Sequence, residues 1–310
     1  MKTQLQVALV MLVVLGQGAA ARQQNSAKVA PQNPSPMTDD SRKHERIERK
    51  EYPGIVFEIR DLFPKPVQLF VPQKSLKAKA FDLLIHFNGA PYVTEFAATK
   101  YRGNIIASTL SVGSGSGAYN EAFRDTTKFR VLLDSIVAET KEHVKHDVKL
   151  RRVILTGFSA GYGAIRRIIS SERNFTRVDA ILLLDGFHAS YIPEGKVLAD
   201  GGRIDSADLL PYIKYAQDAE AKQSRKRFLI THSEIFPGTY VSTTEATDYL
   251  LHTLSMKRTP VLKWGPLGMQ QLSSSRRNHF AVYGFAGNTA RDHVDHVQAL
   301  YWFLRELMKL

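Results

Sequence analysis

From Pro53 onward, short apolar runs alternate with stretches of helical periodicity. Residues 55–59 and 67–71 predict two early strands, paired as a hairpin, and residues 81–87 and 104–111 predict two more. Over residues 123–144, Phe129, Leu132, Leu133, Ile136 and Val137 recur on one face, which predicts a long amphipathic helix. Residues 153–156 are apolar and rich in β-branched side chains, as a strand buried on both faces requires. Residues 160–169 follow with Ala164, Ile165, Ile168 and Ile169 at helical spacing. Residues 179–184, 227–231 and 279–283 predict further strands, and residues 243–256 and 294–307 predict helices. An insert at about 191–225 carries a helix near 207–221. Strands alternating with helices point to an α/β chain with a mostly parallel central sheet covered on both faces. No internal repeat breaks the pattern, so residues 53–310 are expected to form one catalytic domain.

The amino-terminal part follows other rules. Lys2, an apolar run over residues 5–15 and the small residues Ala19-Ala20-Ala21 have the order of a secretory signal peptide, expected over residues 1–21. The apolar run is too short to cross a bilayer, which needs ~20 apolar residues, so no stable membrane span is expected. A secreted or periplasmic location follows from this reading. Residues 22–52 are rich first in Gln, Asn, Ser and Pro and then in mixed charge, and predict a flexible linker. Residues 41–46 could instead make a short solvated helix.

Composition narrows the chemistry. Among 310 residues, 44% are hydrophobic and 23% charged, ordinary globular values. There is no cysteine, which excludes disulfides, thiolate metal sites, a cysteine nucleophile and lipid attachment through a thiol. The formal net charge of +12 favours contact with an anionic surface, such as a cell-wall polymer, lipid headgroups or an acidic substrate. No basic stripe interleaved with aromatics accompanies it, so nucleic acid is not an expected partner.

The chemistry centres on Gly157-Phe158-Ser159-Ala160-Gly161, set between a strand and a helix. A G-x-S-x-G segment in that setting forms a sharp elbow that lifts the serine hydroxyl above the sheet, with glycines where a Cβ would strike neighbouring backbone. A serine hydroxyl becomes a useful nucleophile only when an imidazole takes its proton and a carboxylate orients that imidazole. From Phe81 to the carboxyl terminus the chain resembles α/β-hydrolase-fold serine hydrolases of the secreted bacterial esterase or lipase-like kind. The elbow, the strand-end loop His86-Phe87-Asn88-Gly89-Ala90 and a histidine before the last helix carry the resemblance.

That resemblance implies the chain order serine, then acid, then histidine, and the α/β-hydrolase fold with helices on both faces of the sheet. It implies His293 as the base, at the mouth of the final helix, with His296 one helical turn on as the alternative. For the acid, Asp185 directly ends an apolar run, while Glu234 follows the next strand, where many members of the family carry theirs. Asp185 is preferred and Glu234 stays open. An oxyanion hole needs two backbone N–H groups, each worth ~3 kcal/mol. Ala160 is expected to supply one, and Ala90 or Gly89 the other; Pro91 has no N–H to give.

Competing chemistries find less support. Asp292, His293, Asp295 and His296 are potential metal ligands, but no second ligand cluster matches them, and His143 and His146 lie among lysines, so no metal is expected. Residues 113–118 fit G-x-G-x-x-A, yet the acidic residue ~20 positions on, Asp134, falls in a helical pattern, so no cofactor is expected. The Gly-rich loop is expected to form a flexible rim of the cleft. Tyr92, Phe96, Tyr119, Phe187, Tyr191, Phe236 and Tyr240 are candidates to line an apolar acyl pocket, and the insert is a candidate lid. The expected partner is a small-molecule or polymeric ester. A non-catalytic surface-binding protein on the same fold, a serine peptidase and a polyester depolymerase are the alternatives.

Overall fold

The computed structural model describes residues 43–310; the expected signal peptide and most of the expected linker lie outside them. In chain order the strands are β1 (Gly54–Ile59), β2 (Val67–Pro72), β3 (Ala80–Phe87), β4 (Ile105–Leu110), β5 (Lys149–Phe158), β6 (Ala180–Leu184), β7 (Tyr191–Ile192), β8 (Arg203–Ile204), β9 (Arg227–His232), β10 (Thr259–Trp264), β11 (Gln270–Arg277) and β12 (Phe280–Phe285). The helices are α1 (Pro91–Lys100), α2 (Gly115–Ala122), α3 (Lys128–Val144), α4 (Tyr162–Ile169), α5 (Glu172–Arg177), α6 (Leu210–Ala219), α7 (Thr243–Thr253), α8 (Ala290–Gln298) and α9 (Leu300–Leu307). Ten strands form one sheet in the order β1-β2-β4-β3-β5-β6-β9-β12-β11-β10, and β7 pairs with β8 alone. The central run from β4 through β12 is parallel, flanked by antiparallel pairs at both ends.

Alternation along the central strands builds two cores. Leu83, Ile85 and Phe87 of β3, Val153 and Leu155 of β5 and Ile181 and Leu183 of β6 face α2, α3, α4, α6 and α7. Leu84, Ile154, Leu182 and Leu184 face the other way, onto α1, α8 and α9. Each fully buried aliphatic side chain contributes roughly 1.5–3 kcal/mol before entropy is counted.

Several elements differ from the sequence pattern for local reasons. The helix expected over 123–144 begins at Lys128. A separate helix, α2, grows out of the Gly-rich stretch, with Gly115 at φ 72° ahead of its first turn. Asp125 takes the Thr127 amide at 2.8 Å and fixes the break between them. The helix expected at 294–307 is two helices meeting at Ala299. The expected insert is packed: Tyr212 OH donates to Tyr162 O at 2.7 Å and Tyr215 OH to Val178 O at 3.2 Å, both from buried faces of α6. Helix α1 and the β10–β11 hairpin stand where the sequence pattern predicts neither.

Residues 43–52 form no helix or strand. They lie against α8: His44 Nδ1 is 2.9 Å from Asp295 Oδ2, Arg46 pairs with Asp295, and the Ile47 amide donates to Gln298 Oε1 at 3.1 Å. No helix among the described residues is long and apolar enough to cross a membrane.

Candidate active site

Parallel register explains why distant residues converge. Phe158 of β5 aligns with Leu184 of β6, which aligns with Thr231 of β9. Ser159 and Asp185, just beyond their strands, and the His232–Ser233 pair at the end of β9 therefore stand side by side at the carboxyl edge of the sheet, where open α/β sheets place their sites.

Ser159 turns the chain from β5 into α4 with φ 48°, a left-handed conformation that costs a serine energy and that the packed turn holds in place. The glycines around it are required by close approach. At Gly161 a Cβ would strike the carbonyl of Phe87, and at Gly157 it would lie 3.0 Å from Gly161 C. Gly186, just after Asp185, has the Ser159 backbone against it, with the serine nitrogen 2.6 Å from where a Cβ would sit.

Asp185 is buried, at 3% exposure, and its carboxylate is fully engaged. Its Oδ1 accepts the Ser233 amide at 2.9 Å, and Oδ2 accepts Ser233 Oγ at 2.6 Å. The same Oδ2 lies 2.7 Å from His293 Nδ1. A carboxylate can only accept, so the His293 proton sits on Nδ1 and Nε2 keeps its lone pair. Burial alone would raise the Asp185 carboxyl; the charge of His296 and the bonds from His293 and Ser233 outweigh it and hold the group below the usual carboxylate range. His293 is in the first turn of α8, which Thr289 and Asp292 cap reciprocally, and its ring rests on Phe158 at 4.5 Å between centroids.

Ser159, Asp185 and His293 line one cavity of about 290 Å³ with Ile235, Asn288 and Ala290. A second lobe of about 440 Å³ opens from Ser159 toward Ser116, Arg166 and Asp208, where Arg166 pairs with Asp208 at 2.7 Å. His188 and Tyr240 border both lobes. His188 Nδ1 bonds the Val241 carbonyl at 3.0 Å, and burial pushes the ring's pKa down, which favours the neutral form.

The remaining candidates fall elsewhere. His296 is buried, its Nδ1 2.8 Å from Thr231 Oγ1 and its ring stacked on Phe303. Glu234 faces the loop ahead of α8: it accepts the Gly287 amide at 2.9 Å, and its own amide donates to Gly287 O at 2.8 Å. Ala160 borders the second lobe beside Ser159. The Gly89 amide donates to Ser111 Oγ at 3.4 Å, while Ala90 begins α1 with an exposed residue. Asn88, at φ 67°, donates to Phe158 O at 3.0 Å and ties this loop to the elbow.

Of the seven aromatics expected around an acyl pocket, only Tyr240 borders these lobes. Tyr119, Phe187 and Tyr191 are buried in the core, Tyr92 meets Gln298, and Phe96 packs on Tyr301. Ser233 and His188 are not among the sequence candidates, although Ser233 directly precedes Glu234 and His188 lies three residues after Asp185. His44, Asp292 and Asp295 bring potential ligand atoms within 4.8 Å of one another. Asp295 is paired with Arg46 there and Asp292 caps α8, so charge pairing and capping account for the cluster. Asp134 lies on α3, exposed and paired with Arg130 at 3.3 Å, away from the Gly-rich segment.

The crossover sheet, the elbow at Ser159 and the order Ser159, Asp185, His293 define an α/β-hydrolase fold. No family model matches the chain, and no curated protein matches it. Among solved structures it is similar to an S-formylglutathione hydrolase from Agrobacterium tumefaciens (11% identity, 84% of this chain and 97% of that one, TM-score 0.46). It is also similar to the Pyrococcus horikoshii acylaminoacyl peptidase (15%, 84% and 42%, TM-score 0.43) and to Est1E from Butyrivibrio proteoclasticus (9%, 83% and 100%, TM-score 0.42).

Proposed function

We propose that this chain is a serine hydrolase that cleaves carboxylic esters through an acyl-enzyme. The observation that carries the reading is Asp185 bonded to His293 Nδ1 at 2.7 Å in the cavity that Ser159 borders from its strained elbow. In this mechanism His293 Nε2 takes the Ser159 proton as Oγ attacks the ester carbonyl. The tetrahedral oxyanion is met by the Ala160 amide at the positive end of the α4 run, with Ala90 as the second donor. His293 then protonates the leaving alcohol. Water repeats the cycle in reverse to release the acid. The signal-peptide-like order of residues 1–21 supports export, and the charge of +12 supports residence near an anionic surface.

The test is labelling of the intact chain with a fluorophosphonate, followed by a panel of p-nitrophenyl esters of graded acyl length. Label on Ser159 and turnover lowered by ~10⁴ or more in Ser159→Ala are expected. Absence of labelling would favour a binding protein on this fold, and undiminished turnover in Ser159→Ala would reject the mechanism.

A further inference from the structure

At the opposite, amino edge of the sheet lies a second cleft of about 300 Å³. Seven residues of β5 separate Arg152 from Ser159, so the two sites are about 23 Å apart along the strand. Six cationic side chains line this cleft: Lys100, Arg102, Arg151, Arg152, Arg305 and Lys309. Two carboxylates form ion pairs with them, Asp82 and Glu306, and Asp179 acts on Arg152 from farther off, which leaves the cations in excess.

Part of this charge is held in fixed positions. Asp82 is wholly buried on β3 and accepts Arg152 Nε at 3.1 Å and Nη2 at 2.9 Å and the Tyr101 hydroxyl at 2.6 Å; Arg151 Nη2 forms an ion pair with it at 3.2 Å and donates to Asn104 O at 3.4 Å. One carboxylate thus anchors two guanidinium groups whose side chains remain 45% and 38% exposed. The two-pronged pairing restrains the Arg152 guanidinium beside the cleft it lines, which lowers the ordering cost of gripping an anion. Arg102 stands exposed across from them and makes no ion pair among the described residues. The other wall is apolar, formed by the partly exposed Tyr301 and Met308 of the last helical segment, with Leu304 buried beneath them. A purely solvated basic face would lack both the buried anchor and this wall.

We propose that the cleft binds an amphiphilic anion: a carboxylate or phosphate head on the arginines, with a short hydrocarbon chain along Tyr301 and Met308. The assignment is independent of the reaction at Ser159.

Calorimetric titration of the intact chain with octanoate, octyl phosphate, octanol and inorganic phosphate tests it. One saturable site is expected for at least one alkyl anion, weakened by added salt. Octanol and inorganic phosphate should bind at least about tenfold more weakly, because each lacks half of the recognition. A preference for octyl phosphate would indicate a lipid headgroup as the source of the ligand, and a preference for octanoate a free fatty acid. The double variant Lys100→Glu, Arg102→Glu should weaken binding about tenfold or more while p-nitrophenyl ester turnover stays unchanged. Met308→Trp, which fills the apolar wall and leaves every charge in place, should do the same. Absence of saturable binding, equal binding of octanol, or binding unaffected by both variants would overturn the proposal.

Discussion

Ser233 and His293 share one oxygen of Asp185: the serine hydroxyl reaches Oδ2 at 2.6 Å and the imidazole Nδ1 at 2.7 Å. The hydroxyl helps to keep the carboxyl ionised while competing for the atom that holds the His293 ring. Ser233→Ala should lower kcat by only about tenfold, since the Ser233 amide still holds Oδ1. The stability that Asp185 contributes is present above its unfolded value near 3.9 and is lost as pH falls through the depressed folded value. Removing Ser233 Oγ raises that folded value, so acid unfolding should begin at a higher pH. Denaturant midpoints across the acid range check this, and coincident curves for the two proteins would refute it.

Asp185→Asn and Glu234→Gln separate the two candidate acids. The first substitution would leave His293 Nδ1 without its anion, and a loss of ~10⁴ in kcat is expected. The second keeps a carbonyl oxygen that can still accept the Gly287 amide, so turnover should change by less than about tenfold. The reverse ranking would move the acid to β9.

Gly186→Ala forces a methyl group onto the Ser159 backbone. A destabilisation of about 1–3 kcal/mol is expected, as in overpacked cores, together with a larger loss of activity because the displaced atoms belong to the elbow. Thermal melting and the rate of fluorophosphonate labelling measure the two effects separately. A fully active, equally stable variant would mean that the turn tolerates a side chain there.

Two buried histidines tie stability to pH. Burial pushes His86 down to about 3; burial and the charge of Arg258 push His232 down to about 4. Below about pH 6.5 the unfolded chain binds protons that the folded chain refuses, so stability should fall on acidification toward pH 4. Each histidine adds a slope of up to about 1.4 kcal/mol per pH unit. His232→Gln should be less stable at pH 7 yet show a shallower slope, read from urea midpoints at several pH values.

What was legible in the sequence follows from how strongly burial writes a pattern. The central strands carry β-branched residues because both faces are covered, and the elbow announces itself through glycines that no other residue could replace. The β10–β11 hairpin was not legible: its Gln, Ser and Arg residues line an edge largely open to water, so nothing forces an apolar alternation. Helix α1 starts at Pro91, a residue that reads as a loop until its place at the first helical position is known. The acid could not be chosen from spacing, because the register of β6 against β9 brings both Asp185 and Ser233 to the same edge and turns Glu234 to the following loop.

The irregular segment ahead of β1 also bears on the helix that holds His293, the proposed base. Asp295 sits wholly buried two residues beyond His293 on α8, and the imidazole of His44 and the guanidinium of Arg46 are brought to it from outside the sheet. A shortened protein starting at Pro53 would keep every residue of the cleft yet strip the Arg46 cation and the His44 ring from a carboxylate in the interior, a change that costs about 3–5 kcal/mol where a buried pair is broken. Trimming what looks like a dispensable linker would then loosen the ring proposed to act on Ser159.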